Sequence, residues 1–383
     1  MGGNNQKTFL DLNKARNYSD YKNALKHYVA PAQNFVFAST EGDIALWIQG
    51  KFPNKWKGQG KFLMDGSNPD HDWQSYIPQE FNAHSLNPTR GFVSSANQHP
   101  VDESYPFYVF NDGYETYRNR VINNVLGSKN LFDIQDFRNL QNNNFNLKAS
   151  ELLPHMFETM NSSNLTDKEK EILDEVKNWN FYSNTNQTGP SIWAAWWSEL
   201  YALVWDEFEV DNLALDKPFT YQTIYLLKAH GDDEFMDMQS TPEVETAKDL
   251  FLISFKNAVK KLQEWEVKNG TYSWKEYKDT RVGHLLQGLP AFSRFNIDIG
   301  GGKNIVNATG TTHGASWRMI VEMSTPPKAL GIYPGGQSGN PGSRYYDSFI
   351  DPWAKGDYHE LKLMQADDKT DDLIGTQILT PKK

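Results

Sequence analysis

The stretch Asn34-Phe-Val-Phe-Ala-Ser-Thr-Glu-Gly-Asp-Ile-Ala-Leu-Trp-Ile48 decides the fold class. It reads as two strands joined at Glu41-Gly42-Asp43, because Gly supplies the positive φ that a hairpin turn uses. Just upstream, residues 19–28 place Tyr21, Leu25 and Tyr28 on one side of a helix that Ser19 or Asp20 can cap. Downstream, residues 50–90 are dense in Gly, Pro, Asn and Trp, a composition of ordered loops anchored by aromatics, and a further strand is expected at residues 91–95.

From residue 114 to 268 the pattern turns helical. Helices are predicted over residues 117–125, 134–140, 149–160, 167–179 behind the cap Thr166, 192–208 and 246–268. Beyond Gly270 the chain returns to Gly-rich turns and strand candidates such as residues 316–322. The order is sheet, helices, sheet. It predicts an α+β fold with one sheet assembled from both ends: residues 1–113 and 269–383 forming sheet, 114–268 helical, interwoven as one domain.

Composition narrows the function. The chain has 383 residues, 38 Lys and Arg against 48 Asp and Glu, a formal net charge of -10 and no Cys. Hydrophobic content of 38% with 14% aromatics excludes intrinsic disorder. An acidic chain without a Lys/Arg block argues against a nucleic-acid partner, which requires a concentrated basic face. Without Cys there is no disulfide, thiol nucleophile or zinc ribbon. No membrane span is expected either: the most apolar run, residues 191–205, is shorter than the roughly 18 residues required and carries Glu199, so it reads as a buried helix. The first residues lack the basic and apolar regions of a signal peptide.

General catalytic signatures fail. Gly335-Gly-Gln-Ser-Gly339 puts its Ser in the fourth place and so is not a nucleophile elbow. Gly300-Gly-Gly-Lys303 lacks the first P-loop glycine and is followed by Asn304 where Ser or Thr should bind magnesium. His230-Gly-Asp-Asp-Glu234 offers oxygen ligands without EF-hand spacing and reads as a solvated acidic loop, so no metal site is assigned.

What remains is a series of small patterns in a fixed order. Asn34, Ala38 and Gly42-Asp43-Ile44 are followed by Gly50 and Pro53, Asp65-Gly66, Trp73 with Ile77-Pro78, Asn87-Pro88, and Gly91-Phe-Val-Ser-Ser-Ala-Asn97. A second series runs through His313-Gly-Ala-Ser-Trp-Arg318, Gly335-Gly-Gln-Ser-Gly339, Ser343, Tyr346-Asp347, Trp353 and Tyr358. Together they resemble the β-chain of penicillin amidases (penicillin acylases), over about residues 10–363.

The resemblance implies an N-terminal-nucleophile hydrolase with an αββα sandwich, present here incompletely. In that family a Ser heading the β-chain attacks an amide, and its own α-amine, with a pKa near neutrality, accepts the hydroxyl proton. A β-chain Asn donates to the oxyanion, and the role carries over to Asn97; the alternative is a turn residue at the end of a strand, and Gln98 is the lesser candidate. An Arg near the nucleophile's amine matches Arg118 in Tyr117-Arg118-Asn-Arg120, in preference to Arg120. The alternative for Arg118 is a helix-surface Arg paired with Glu115. Phe107, Tyr108 and Phe110 fall in the region of the family's apolar acyl pocket, with core packing as their alternative. His313 and Arg318 read as sheet framework, and Gln337, Ser338 and Asp347 as a hydrogen-bonded turn.

The chain departs from the family in one respect that matters. No Ser nucleophile stands at its head, and the hairpin corresponds to a point well inside the family's β-chain. The expected partners are therefore a small N-acyl substrate together with the α-chain and the first part of the β-chain. No cofactor is required by the chemistry; structural calcium belongs to the complete protein of many members, and most of its acidic ligands are absent here. Family resemblance puts the protein in the periplasm. Two further readings stand beside a penicillin amidase-like activity: an acyl-homoserine lactone acylase of the same family, and a catalytically incomplete remnant or partner chain with a binding role.

Overall fold

The computed structural model describes residues 4–109, 115–210, 215–286, 288–364, 368, 373 and 375–381. Helices α1 (Asn5–Leu12) and α2 (Tyr18–Leu25) lead into strands β1 (Gln33–Ala38), β2 (Ile44–Gln49) and β3 (His84–Leu86). Helices α3 (Tyr117–Leu126), α4 (Ile134–Gln141), α5 (Leu147–Thr159), α6 (Asp167–Lys177), α7 (Gly189–Val204), α8 (Thr220–Ala229), α9 (Ala247–Asn269) and α10 (Trp274–Lys278) follow. Strands β4 (Arg318–Glu322) and β5 (Lys328–Ile332), helix α11 (Ile350–Lys355) and strand β6 (His359–Leu361) complete the order.

The hairpin forms as its sequence predicts: β1 pairs antiparallel with β2 from Gln33 opposite Gln49 to Ala38 opposite Ile44, and Gly42 turns the chain at φ 97°. Alternation puts Ala45, Trp47 and Gln49 inward. Trp47 packs with Tyr21 and Leu25 of α2, whose Tyr21 hydroxyl donates to the Phe35 carbonyl at 2.8 Å. Asn17, rather than Ser19 or Asp20, caps α2, its Oδ1 accepting the Asp20 amide. Buried Gln49 knots the sheet to its surroundings. Its Oε1 accepts from Trp47 Nε1 at 3.0 Å and from Gln79 and Asn82, and its Nε2 donates to the Tyr28 carbonyl.

Two expectations are corrected. Among the described residues there are two separate three-stranded antiparallel sheets, β1-β2-β3 and β4-β5-β6, not one sheet drawing on both ends. Each pairs strands that follow one another in chain order, as sequential strands commonly do. Residues 91–95 form no strand. The edge of β2 is taken by β3, through Ala45 opposite Leu86 and Trp47 opposite His84, so the later segment crosses as a loop.

The helical middle holds the largest core. α7 is apolar around most of its circumference and is accordingly sheathed: Ile192, Trp193, Ala195, Trp196, Leu200 and Val204 are all buried, chiefly against α9. Trp196 is fully buried, satisfies its indole through the Phe251 carbonyl at 3.1 Å and Ser254 Oγ at 3.0 Å, and lies 4.8 Å from the Phe255 ring. Reciprocal side-chain caps start α6 (Thr166 with Glu169) and α9 (Thr246 with Asp249).

The C-terminal sheet joins this body at α4. Gln141 donates to the Met319 carbonyl at 3.0 Å and accepts from the Tyr358 hydroxyl at 2.7 Å. Buried Arg318 donates to the Trp353 carbonyl and to Asn307 Oδ1, both at 2.8 Å, and Asp347 pairs with Arg294 at 2.7 Å.

Candidate active site

The loop after β3 and the first turns of α3 form one unit. Ser94 Oγ donates to Asn123 Oδ1 at 2.7 Å, and Asn123 in turn donates to Asn119 one helical turn earlier at 3.0 Å. On the loop, Gln98 folds back: its Oε1 accepts the Ala96 amide at 2.7 Å and its Nε2 donates to the Ser94 carbonyl at 3.3 Å. Ala96 is buried, which pins the loop and leaves Asn97 at its outer edge.

Asn97 adopts φ 63°, the left-handed region that Asn tolerates better than most residues with a Cβ. Its Oδ1 accepts from Arg118 Nη2 at 2.6 Å. A guanidinium carries only donors, so this bond determines which way the amide faces: oxygen toward Arg118, NH2 turned away. Among the described residues Asn97 Nδ2 engages no acceptor. The arrangement is thus a side-chain amide with its N–H groups free and its oxygen held by a fixed cation. Partial burial pulls the Arg118 guanidinium down from its ordinary value, and it remains a cation at neutral pH.

Arg120 points elsewhere and pairs with Glu151 across the helix surface. Glu115 does not pair with Arg118; one carboxylate oxygen accepts the Thr220 amide at 2.9 Å. Phe107 packs edge-on against Phe81 at 5.2 Å and against Tyr105 at 5.8 Å, while Tyr108 bridges to Lys55 through its backbone. No hydrogen bond or ring contact among the described residues joins either of them to Asn97. Phe110 lies outside the described residues.

A cleft of about 290 Å³ opens beside this unit, lined by Leu46 and Ile48 of β2, His84, Arg90, Ser94 and Asn123 among others. The sequence reading missed Asn119 and Asn123; their four-residue spacing on a helix is the signal that could have found them. Among the described residues no group of three or more His, Asp, Glu or Cys is arranged to hold a metal ion. Among them, too, no helix is long and apolar enough to cross a membrane.

The fold is that of a penicillin acylase. A solved structure of a thermostable penicillin G acylase from Alcaligenes faecalis superimposes with a TM-score of 0.64, covering 98% of this chain and 72% of that one at 14% identity. The penicillin amidase profile matches residues 2–370, and the chain belongs to that family of N-terminal-nucleophile hydrolases. Among curated relatives, the acyl-homoserine lactone acylase QuiP of Pseudomonas putida is 25% identical over 390 residues, 93% of this chain and 47% of that protein. The penicillin acylase 2 proenzyme of Pseudomonas sp. is 25% identical over 103 residues, 27% of this chain and 13% of that one. The chain spans about half the length of the QuiP relatives that it matches.

Proposed function

We propose that this chain carries the oxyanion-stabilising part of an amidohydrolase site, and that the Ser nucleophile and its α-amine lie in sequence outside it. The observation that carries the reading is the Arg118 to Asn97 hydrogen bond, which leaves the amide N–H groups free to donate. In the proposed reaction the Ser hydroxyl adds to the amide carbonyl while its α-amine takes the proton. The carbonyl oxygen becomes an anion, and Asn97 Nδ2 donates to it. The α-ammonium passes its proton to the amide nitrogen as the C–N bond breaks, the amine product leaves, and water then hydrolyses the acyl-enzyme by the same route.

Asn97 serves this step because its donor is already oriented before charge develops, so no reorganisation is needed during the reaction. Arg118 acts through Asn97 as a positioning residue, and its charge lowers the pKa of any amine placed close to it. Phe107 and Tyr108, with Phe110, are proposed for the acyl side of the substrate.

The substrate class best supported is an N-acyl-homoserine lactone, because the QuiP likeness runs over 93% of this chain whereas the penicillin acylase 2 likeness covers 27%. The reaction needs no cofactor. Any structural calcium would be held by residues beyond this chain, and the periplasm is the proposed compartment.

The test is turnover of an acyl-homoserine lactone by the full-length protein that contains this chain. Asn97→Asp keeps the acceptor for Arg118 and removes the donor. It should lower kcat by about 100-fold or more with KM little changed, since the oxyanion exists only along the reaction path. A change confined to KM would remove Asn97 from the oxyanion site. This chain alone should show no turnover; Ser-dependent hydrolysis by it would overturn the placement of the nucleophile.

A further inference from the structure

A second pocket, of about 330 Å³, lies in the helical middle and shares no lining residue with the cleft beside Asn97. Its size falls within the usual range of small-ligand sites, about 300–1,000 Å³. The walls are aromatic: Trp193, Trp197 and Tyr201 from α7, and Trp274 from α10. At its base Lys148, the second residue of α5, is only 6% exposed.

A buried ammonium ordinarily has a carboxylate or several carbonyls around it, because removing the charge from water is otherwise costly. The other buried lysine among the described residues follows that rule: Lys278 donates to the Ile299 and Gly300 carbonyls and to Thr309 Oγ1 at 2.7–2.8 Å. Lys148 does not. Among the described residues its Nζ makes neither a hydrogen bond nor an ion pair, and rests over the Trp197 ring at 4.2 Å and the Trp193 ring at 5.5 Å.

A second polar group is left over at the same place. Ser183 also lines the pocket, is 1% exposed, and its buried Oγ has no hydrogen-bond partner among the described residues. Lys303 adds a further positive charge at the rim, and its effect on Lys148 outweighs the opposing one of Glu115. The pocket therefore offers two unengaged donors, a net positive field and apolar ring faces.

We propose that this pocket binds a small aryl or alkyl monocarboxylate, its carboxylate on Lys148 Nζ and Ser183 Oγ and its apolar body against the tryptophans. The carboxylate gives Lys148 Nζ, otherwise set only against ring faces, a hydrogen-bonded partner of opposite charge that favours its protonated form. The rings supply the remaining contact area. The inference does not depend on the reaction proposed above, because no residue of that site takes part.

The experiment is calorimetric titration of the full chain with phenylacetate and with its neutral isostere phenylacetamide at neutral pH. Phenylacetate should bind roughly tenfold or more tightly than the amide, the effect expected of a charged hydrogen bond. Lys148→Met should remove most of that preference while far-UV circular dichroism is unchanged. Should that variant fail to fold, Lys303→Ala at the exposed rim provides the second reading and should weaken phenylacetate binding but not amide binding. Equal affinity for acid and amide, no binding of phenylacetate at millimolar concentration, or an unchanged preference in a folded Lys148→Met protein would each overturn the proposal.

Discussion

The helical middle and the loop that carries Asn97 are built on opposite terms, and α3 belongs to both. On one side of α3, Tyr117 enters the large core formed by α5 to α9. On the other, Arg118 and Asn123 hold the loop through side-chain hydrogen bonds, and Asn119 accepts from Asn123 within the helix. The middle is stabilised by burial of aromatic and aliphatic surface, the loop by a few polar contacts at its edge. The difference teaches why a site of this kind stands on a helix end: the core immobilises the backbone of Arg118, and the loop needs only to present Asn97 to it.

Breaking the core should have the largest effect. Trp196→Ala removes a fully buried indole together with the N–H that donates to the Phe251 carbonyl and Ser254 Oγ, and should cost about 3–5 kcal/mol, read from the urea midpoint. A loss below about 1 kcal/mol, the scale of an ordinary surface change, would show that α7 and α9 do not carry the fold.

A pH series sharpens the contrast inside the core itself. Burial, helped by the Lys303 charge, pulls the Lys148 ammonium from 10.5 down to about 7. Between those values the unfolded chain keeps a proton that the folded chain has released, so stability rises with pH, by up to about 1.4 kcal/mol per unit. Below the lower value both states are protonated and the slope vanishes. Lys148→Met should remove about half of the rise, leaving a slope of similar size from Lys278, which burial also brings to about 7. Urea unfolding of both proteins across that window checks it; identical slopes would mean that Lys148 is solvated.

The smallest effect should come from Arg120→Ala. Its pair with Glu151 is on the surface, so the expected loss is about 0–1 kcal/mol in thermal or urea unfolding. In the active full-length protein the same change should leave kcat alone, whereas Arg118→Ala, one turn-face away, should lower it. Equal effects on kcat would erase the distinction drawn between the two arginines.

Legibility follows the range of the interactions. The hairpin was readable because Gly42 and the flanking strand residues are adjacent in sequence, and α6 because Thr166 and Glu169 are three residues apart. Strand β3 has only the three residues His84-Ser85-Leu86, too few to show a period, so the sequence suggests a strand at residues 91–95 instead. Helix α8 was missed because it lies between Pro218 and Gly231 with little one-sided patterning. That the two sheets stand apart is a matter of which distant strands do not pair, which no local pattern encodes. At the candidate site, Asn97 and Arg118 came from resemblance, while the bond between them spans 21 residues and became visible only in three dimensions. Lys148 carried a faint local sign, a charge between Leu147 and Ala149 and four residues before Leu152, all on the inward part of α5.

Gln141 ties α4 to partners 178 and 217 residues further along the chain. On a ribosome adding about 5–20 residues per second, that separation corresponds to a delay of roughly 10–40 s between the appearance of the glutamine and of its first partner. The end of α4 therefore emerges long before the strand that covers it, and during that interval its side chain is open to water and to chaperones.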